Sequence, residues 1–117
     1  MKKKANKDQQ ENYLERKPKR HEAIAWAKDE KGIVTLDIEN TGFFNRLAQK
    51  FSHKPKVTHI HLDEMGSFVW PIMDGEKDII AIGKEVEEQF GEKANPLYER
   101  LAKFFQVLDS YHFITWN

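Results

Sequence analysis

The sequence contains no cysteine. Disulfides, thiolate zinc sites and cysteine nucleophiles are therefore excluded, and the absence agrees with a reducing compartment. Nor does any uninterrupted apolar run approach the ~20 residues that a membrane-spanning helix needs. The start, Met1-Lys2-Lys3-Lys4, carries the positive charge of a signal peptide, but no apolar stretch follows it, so a cytoplasmic location is expected. Glycine is sparse. Gly66, Gly75, Gly83 and Gly91 are scattered without the spacing of a phosphate-binding loop. Ser52, Ser67 and Ser110 lack the setting of a nucleophile elbow. Glu85, Glu87 and Glu88 fall on a helix face opposite Ile82 and Val86, where solvation accounts for them without a cleft or shifted acidity. These absences leave no catalytic residue and no cofactor to assign, and the chain reads as a non-enzyme.

What is present fits a small globular domain. The 117 residues allow one core and are too few for two ordinary domains. Eight Phe, three Tyr and three Trp supply large side chains for that core or for a groove. The formal net charge of zero hides an asymmetry. Residues 1–20 hold eight Lys/Arg against three Asp/Glu, and residues 21–117 hold eleven against sixteen. Residues 1–20 also lack hydrophobic periodicity, with only Tyr13 and Leu14 interrupting the polar run. They are expected to form a basic, disordered tail on a domain spanning 21–117.

Within that domain the periodicity is legible. Ile24 and Trp26 alternate with alanines, Asp29-Glu30-Lys31-Gly32 supplies turn chemistry, and Val34, Leu36 and Ile38 then share one strand face. The two segments predict a hairpin. Phe43, Phe44, Leu47 and Phe51 recur at helical spacing and predict a short helix before a third strand over residues 57–62, with Ile60 and Leu62 inward. Three helices follow. Asp63 caps the first, whose stripe is Met65, Phe68, Val69, Ile72 and Met73 and which Pro71 should end or kink. Ile79, Ile82, Val86 and Phe90 mark the second, closed by Gly91. Asn95-Pro96 opens the third, with Leu97, Leu101, Phe104 and Leu108 on its face. Residues 111–116 suit a short terminal strand. An antiparallel sheet with helices on one face would bury all these stripes together, an α+β class.

Two features invite a site. His59 and His61 lie two apart on a strand and share a face, as a metal pair requires, with Asp63 and Glu64 near and His53 and His112 able to join by folding. Alternating polar residues are equally what the exposed face of a half-buried strand shows, so no metal ligand is assigned. The second feature is the sheet itself. So small an antiparallel sheet has open edges, and an open edge accepts an added peptide strand or a second copy of the chain, which makes a homodimer conceivable. On the third helix Phe104 sits at core spacing, and Phe105, off that stripe, is the expected partly exposed contact.

The run Ile60-His61-Leu62-Asp63-Glu64-Met65-Gly66-Ser67-Phe68-Val69-Trp70, followed by Asp74-Gly75, resembles the PqqD family. Its continuation does so too, through Ile79-Ile80-Ala81-Ile82 and Phe90-Gly91 into Leu97 and on to Leu108. The resemblance covers about residues 22–114, most securely 60–108. It implies a winged-helix-like domain of three antiparallel strands and three helices. It also implies a role as a recognition element for ribosomally made peptides in natural product biosynthesis. Such a domain is a peptide chaperone: it binds the leader of a precursor peptide as an extra strand and presents it to a modifying enzyme, often a radical-SAM enzyme. Carried onto this sequence, the groove would be Val57, Thr58, His59, Ile60, His61 and Leu62, opposite Leu97, Leu101, Phe104 and Phe105. The alternatives are a winged-helix nucleic-acid binder and, below it, a histidine-ligated metal protein. The basic tail with Arg46, Lys50, Lys54 and Lys56 favours the former. Against it, the third helix carries only Arg100 and Lys103 as cations and the body is net acidic, so nucleic acid is disfavoured as a partner.

Overall fold

A computed structural model describes residues 13–39 and 57–117. Its elements are β1 (Pro18–Arg20), β2 (Ala25–Lys28), β3 (Val34–Glu39), β4 (Val57–His61), α1 (Glu64–Ile72), α2 (Ile79–Phe90), a 3-10 turn (Gly91–Ala94), α3 (Leu97–Ser110) and β5 (Ile114–Trp116). The class is α+β; the described residues form three helices and two antiparallel sheets ordered β2-β3-β4 and β1-β5. The helix expected over 43–51 lies outside the described residues.

The β2-β3 hairpin forms where expected. The Asp29 carboxylate accepts from the amides of Lys31 and Ile33 at 2.8 and 2.9 Å, and Gly32 takes the positive φ, 85°, that the turn needs. Those amides, that of Ile33 foremost, hold the Asp29 carboxyl below its ordinary range. Val34, Leu36 and Ile38 all point into the core at 0% exposure, as their period-2 spacing dictates.

The chain passes from β4 to α1 through one hydroxyl. Leu62 N–H donates to the Val34 carbonyl at 2.9 Å, but the Val34 N–H turns instead to Ser67 Oγ at 2.8 Å. Ser67 Oγ in turn donates to the Leu62 carbonyl at 3.3 Å, so a buried serine is inserted where the ladder would have closed. Ser67→Ala should strand the Val34 amide and lower the unfolding free energy by about 1–3 kcal/mol, as chemical denaturation would report.

Asp63 caps α1 as expected, accepting from the Gly66 amide at 2.7 Å. The helix continues one residue beyond Pro71 and ends at Ile72. Its last carbonyls are taken by Arg20, whose Nη1 donates to Trp70, Pro71 and Met73 at 3.2, 2.7 and 3.0 Å. Trp70, absent from the expected stripe, is buried completely. Gly91 closes α2 as the sequence implies. The start of α3 differs. Pro96 rather than Asn95 is the N-cap residue, and no side chain caps that end. The Pro96 carbonyl accepts the first helical bond, from the Arg100 amide at 3.0 Å, so the helix begins one residue later than the Asn-Pro pair suggests.

The expected tail does not reach residue 20. Residues 1–12 lie outside the described residues, but Pro18 is fully buried and β1 pairs with β5 from Pro18↔Trp116 to Arg20↔Ile114. Tyr13 and Leu14 pack half-buried against the core. Burial pushes the Tyr13 phenol up to about 12 against the opposing pull of Arg16. The Arg16 guanidinium lies 4.1 Å from the Trp116 ring centre. Charge on these residues hid their order, because the cations stack on aromatics and cap a helix while the short apolar contacts lie between them.

Candidate functional site

Strand β4 is the edge of its sheet: it pairs with β3, and no strand among the described residues pairs with its other side. The register, Thr35↔His61 through Glu39↔Val57, fixes which groups that edge presents. The Leu62 to Val34 bond makes that pair a hydrogen-bonded position, and antiparallel ladders alternate. Ile60 and Thr58 therefore aim their amides and carbonyls at β3, and Val57, His59 and His61 aim theirs outward.

The side chains divide the opposite way. Ile60, paired with the buried Leu36, and Leu62 turn to the core side and are half-buried. His59 and His61 stand on the outer face beside Asp37 and Thr35. His59 Nδ1 lies 2.6 Å from the Asp37 carboxylate and His61 Nδ1 2.7 Å from Thr35 Oγ1. Each histidine is thus engaged across the strand with β3. Among the described residues no group of three or more His, Asp or Glu side chains is gathered as a metal would require. His53 lies outside the described residues, and His112 sits in the turn after α3.

On the core side of that edge an apolar cavity of about 470 Å³ opens between β4 and α3. Ile60, His61, Leu62 and Asp63 form one wall, and Phe104, Val107, Leu108, Tyr111 and Phe113 form the other. The volume suits a few side chains of a bound segment. Val107, at 46% exposure, stands out among large apolar side chains as open to solvent.

This geometry corrects the expected roles of two neighbours. Phe105, expected as the groove contact, is 0% exposed and packs in the core edge-on to Trp116 at 6.2 Å between ring centres. Phe104, at core spacing by periodicity but in the groove by the resemblance, is half-buried and lines the cavity. Leu101 is also wholly buried, and Leu97, half-buried in the first turn of α3, does not line the cavity. The helix is rotated from the expected stripe: 101, 105 and 108 face inward, and 104, 107, 108 and 111 face the groove. Val107, Tyr111 and Phe113 were not singled out as groove residues by the sequence, although Phe104, Val107, Leu108 and Tyr111 keep i, i+3, i+4, i+7 spacing.

Gly66 lets Phe104 take its place. A Cβ there would fall 2.9 Å from Phe104 Cε1 and 3.0 Å from Asp63 Oδ1. Gly66→Ala should therefore push the ring into the groove, and titration should show ligand binding weakened by on the order of 1 kcal/mol, about fivefold.

The sheet edge, the groove and the three helices fall within a span that is itself diagnostic. Residues 32–114 match the model of the family described as Coenzyme PQQ synthesis protein D (PqqD). The chain belongs to the PqqD family. Proteins of this family are accessory binding proteins rather than catalysts, and they associate with a peptide precursor and a modifying enzyme. No curated protein and no solved structure matched the chain. All of β3, β4, the three helices and the groove residues lie inside the PqqD match, whereas β1, β2 and most of β5 lie outside it. No helix among the described residues is long and apolar enough to cross a membrane.

Proposed function

We propose that this PqqD-family chain captures the leader of a ribosomally made precursor peptide by strand addition and holds it for a modifying enzyme of the radical-SAM type. The peptide pairs with the outward amides and carbonyls of Val57, His59 and His61, and every second side chain enters the groove between β4 and α3. The observation that carries this reading is the coincidence of two features on one strand. The edge of β4 that pairs with no strand among the described residues is also the wall of the apolar cavity. Backbone pairing supplies affinity for any extended segment, and the cavity selects apolar side chains at alternate positions. The three-stranded sheet followed by three helices supports the winged-helix-like arrangement of such domains.

Peptides that co-purify with the protein from its host, identified by mass spectrometry and resynthesised, provide the test. A single recovered peptide should bind in calorimetry. N-methylation of the one amide that faces His59 should weaken it by about 1–3 kcal/mol, the cost of an unmet backbone pair. Binding indifferent to N-methylation along the whole peptide would rule out strand addition, and nuclease-sensitive nucleic acid as the sole ligand would rule out the peptide itself.

A further inference from the structure

A second cavity, of about 310 Å³, lies beside β2, at the opposite edge of the sheet from the groove, and shares no residue with it. It is built mainly from the segment before residue 32, where the family match begins. Its central feature is Arg20. Nη1 of that side chain is held by three carbonyls at the end of α1, and the guanidinium carbon lies 5.5 Å from the centre of the Trp26 ring. Among the described residues Nε and Nη2 donate to nothing. An arginine stays charged and has five donors in a planar fork. Here one nitrogen fixes the fork while the other two meet no partner among the described residues, on a half-buried side chain that lines a cavity.

The surroundings define the guest. Ile24 and Met73, both buried, and the half-buried Trp26 give one apolar wall. Lys19 and His21 line the cavity beside Arg20, opposed by the carboxylates of Glu22 and Asp74. The Glu76 and Lys77 amides hold the Asp74 carboxyl below its ordinary range, so that acid stays ionised. Two carboxylates on the lining repel a phosphate dianion more than a singly charged acid, and a single carboxylate matches the open side of the guanidinium.

We propose that this cavity binds a carboxylate carried on an apolar or aromatic body, the carboxylate held by Arg20 and the body by Trp26, Ile24 and Met73. The guest is either the C-terminus of a peptide or a free small acid, which share this chemistry. The site shares no residue with the groove and gives the chain a second point of attachment, built mainly from residues before the span matched by the family.

The full chain is titrated with N-acetyl-phenylalanine, N-acetyl-phenylalaninamide and 3-phenylpropanoate while the indole N–H of Trp26, assigned with Trp26→Phe, is followed by NMR. N-acetyl-phenylalanine should shift that signal saturably with a Kd on the order of millimolar or tighter. The amide should bind about tenfold more weakly, the loss of one charge-assisted pair. Tighter binding of N-acetyl-phenylalanine than of 3-phenylpropanoate assigns the guest as a peptide terminus; equal binding assigns a free acid. Arg20→Gln should abolish the preference for the carboxylate. Should that variant not fold, Trp26→Leu, read by calorimetry because it lacks the indole signal, should weaken both acids and leave the fold intact. Phe104→Ala, in the groove, should change nothing here, so failure of the peptide reading would not imitate failure of this one. Acid and amide binding alike, or no shift of Trp26, would overturn the proposal.

Discussion

Phe105→Ala should lower the unfolding free energy by about 3–5 kcal/mol, the range for deleting a fully buried ring from a packed core. The ring has no solvent exposure and meets Phe104 edge-on at 5.4 Å and Trp116 at 6.2 Å between centres. It therefore joins α3 to β5, the strand that pairs with β1. Its removal opens a void that the surrounding rigid elements cannot close, and a small domain has little stability to spare. Phe104→Ala should behave differently. That ring is partly exposed and lines the groove, so its loss should cost stability only about 1–2 kcal/mol, in proportion to the smaller area returned to water. Peptide binding should weaken instead, by on the order of tenfold or more, as for an aromatic anchor in a binding pocket. Denaturant midpoints and calorimetric titration on the two variants separate the roles. If Phe105→Ala remains as stable as the parent and loses binding while Phe104→Ala retains it, the rotation of α3 described above is wrong.

Proline at successive positions of β4 should give opposite outcomes. His59→Pro removes an amide that points away from β3, a place where a sheet edge tolerates proline. The fold should survive, with the exposed His59–Asp37 contact adding little. A peptide laid along the edge would lose one backbone bond and be left with an unmet carbonyl. Its affinity should fall by about 1–3 kcal/mol, roughly fivefold to 150-fold. His59→Ala keeps the amide and should bind nearly as the parent does. Ile60→Pro removes an amide that is paired with β3, strands the Leu36 carbonyl and should damage the sheet itself. Circular dichroism melts identify which variants are folded, and titration of the folded ones reads the edge. Undiminished binding by folded His59→Pro would show that the peptide does not pair there.

The sequence by itself determined the described strands and helices of the PqqD span and most of their inward faces. Alternation in β3 and the i, i+3, i+4 stripe of α2 depend on local periodicity alone, and one buried surface per element leaves little freedom in how they pack. The Asp29–Gly32 turn, the Asp63 cap and the Gly91 stop are likewise local chemistry. The resemblance that named the family drew on the same pattern, and it placed the groove on β4 and α3.

What only the tertiary structure decided are matters of rotation and of distant partners. Phe104 and Phe105 are adjacent and chemically identical, and about 100° of helix separates them. Which of them faces the groove depends on how α3 sits against α1 and β5, where Gly66 admits one ring and Trp116 receives the other. The outward amides of Val57, His59 and His61 follow from the register with β3, which a single strand's sequence does not contain. The order of residues 13–20 was hidden for the same reason. Their cations signal solvent in sequence, but Arg20 meets the end of α1, 50 residues or more away, and β1 meets a strand at the other end of the chain. Local periodicity reports which face of an element is buried; contacts across the chain decide what it is buried against.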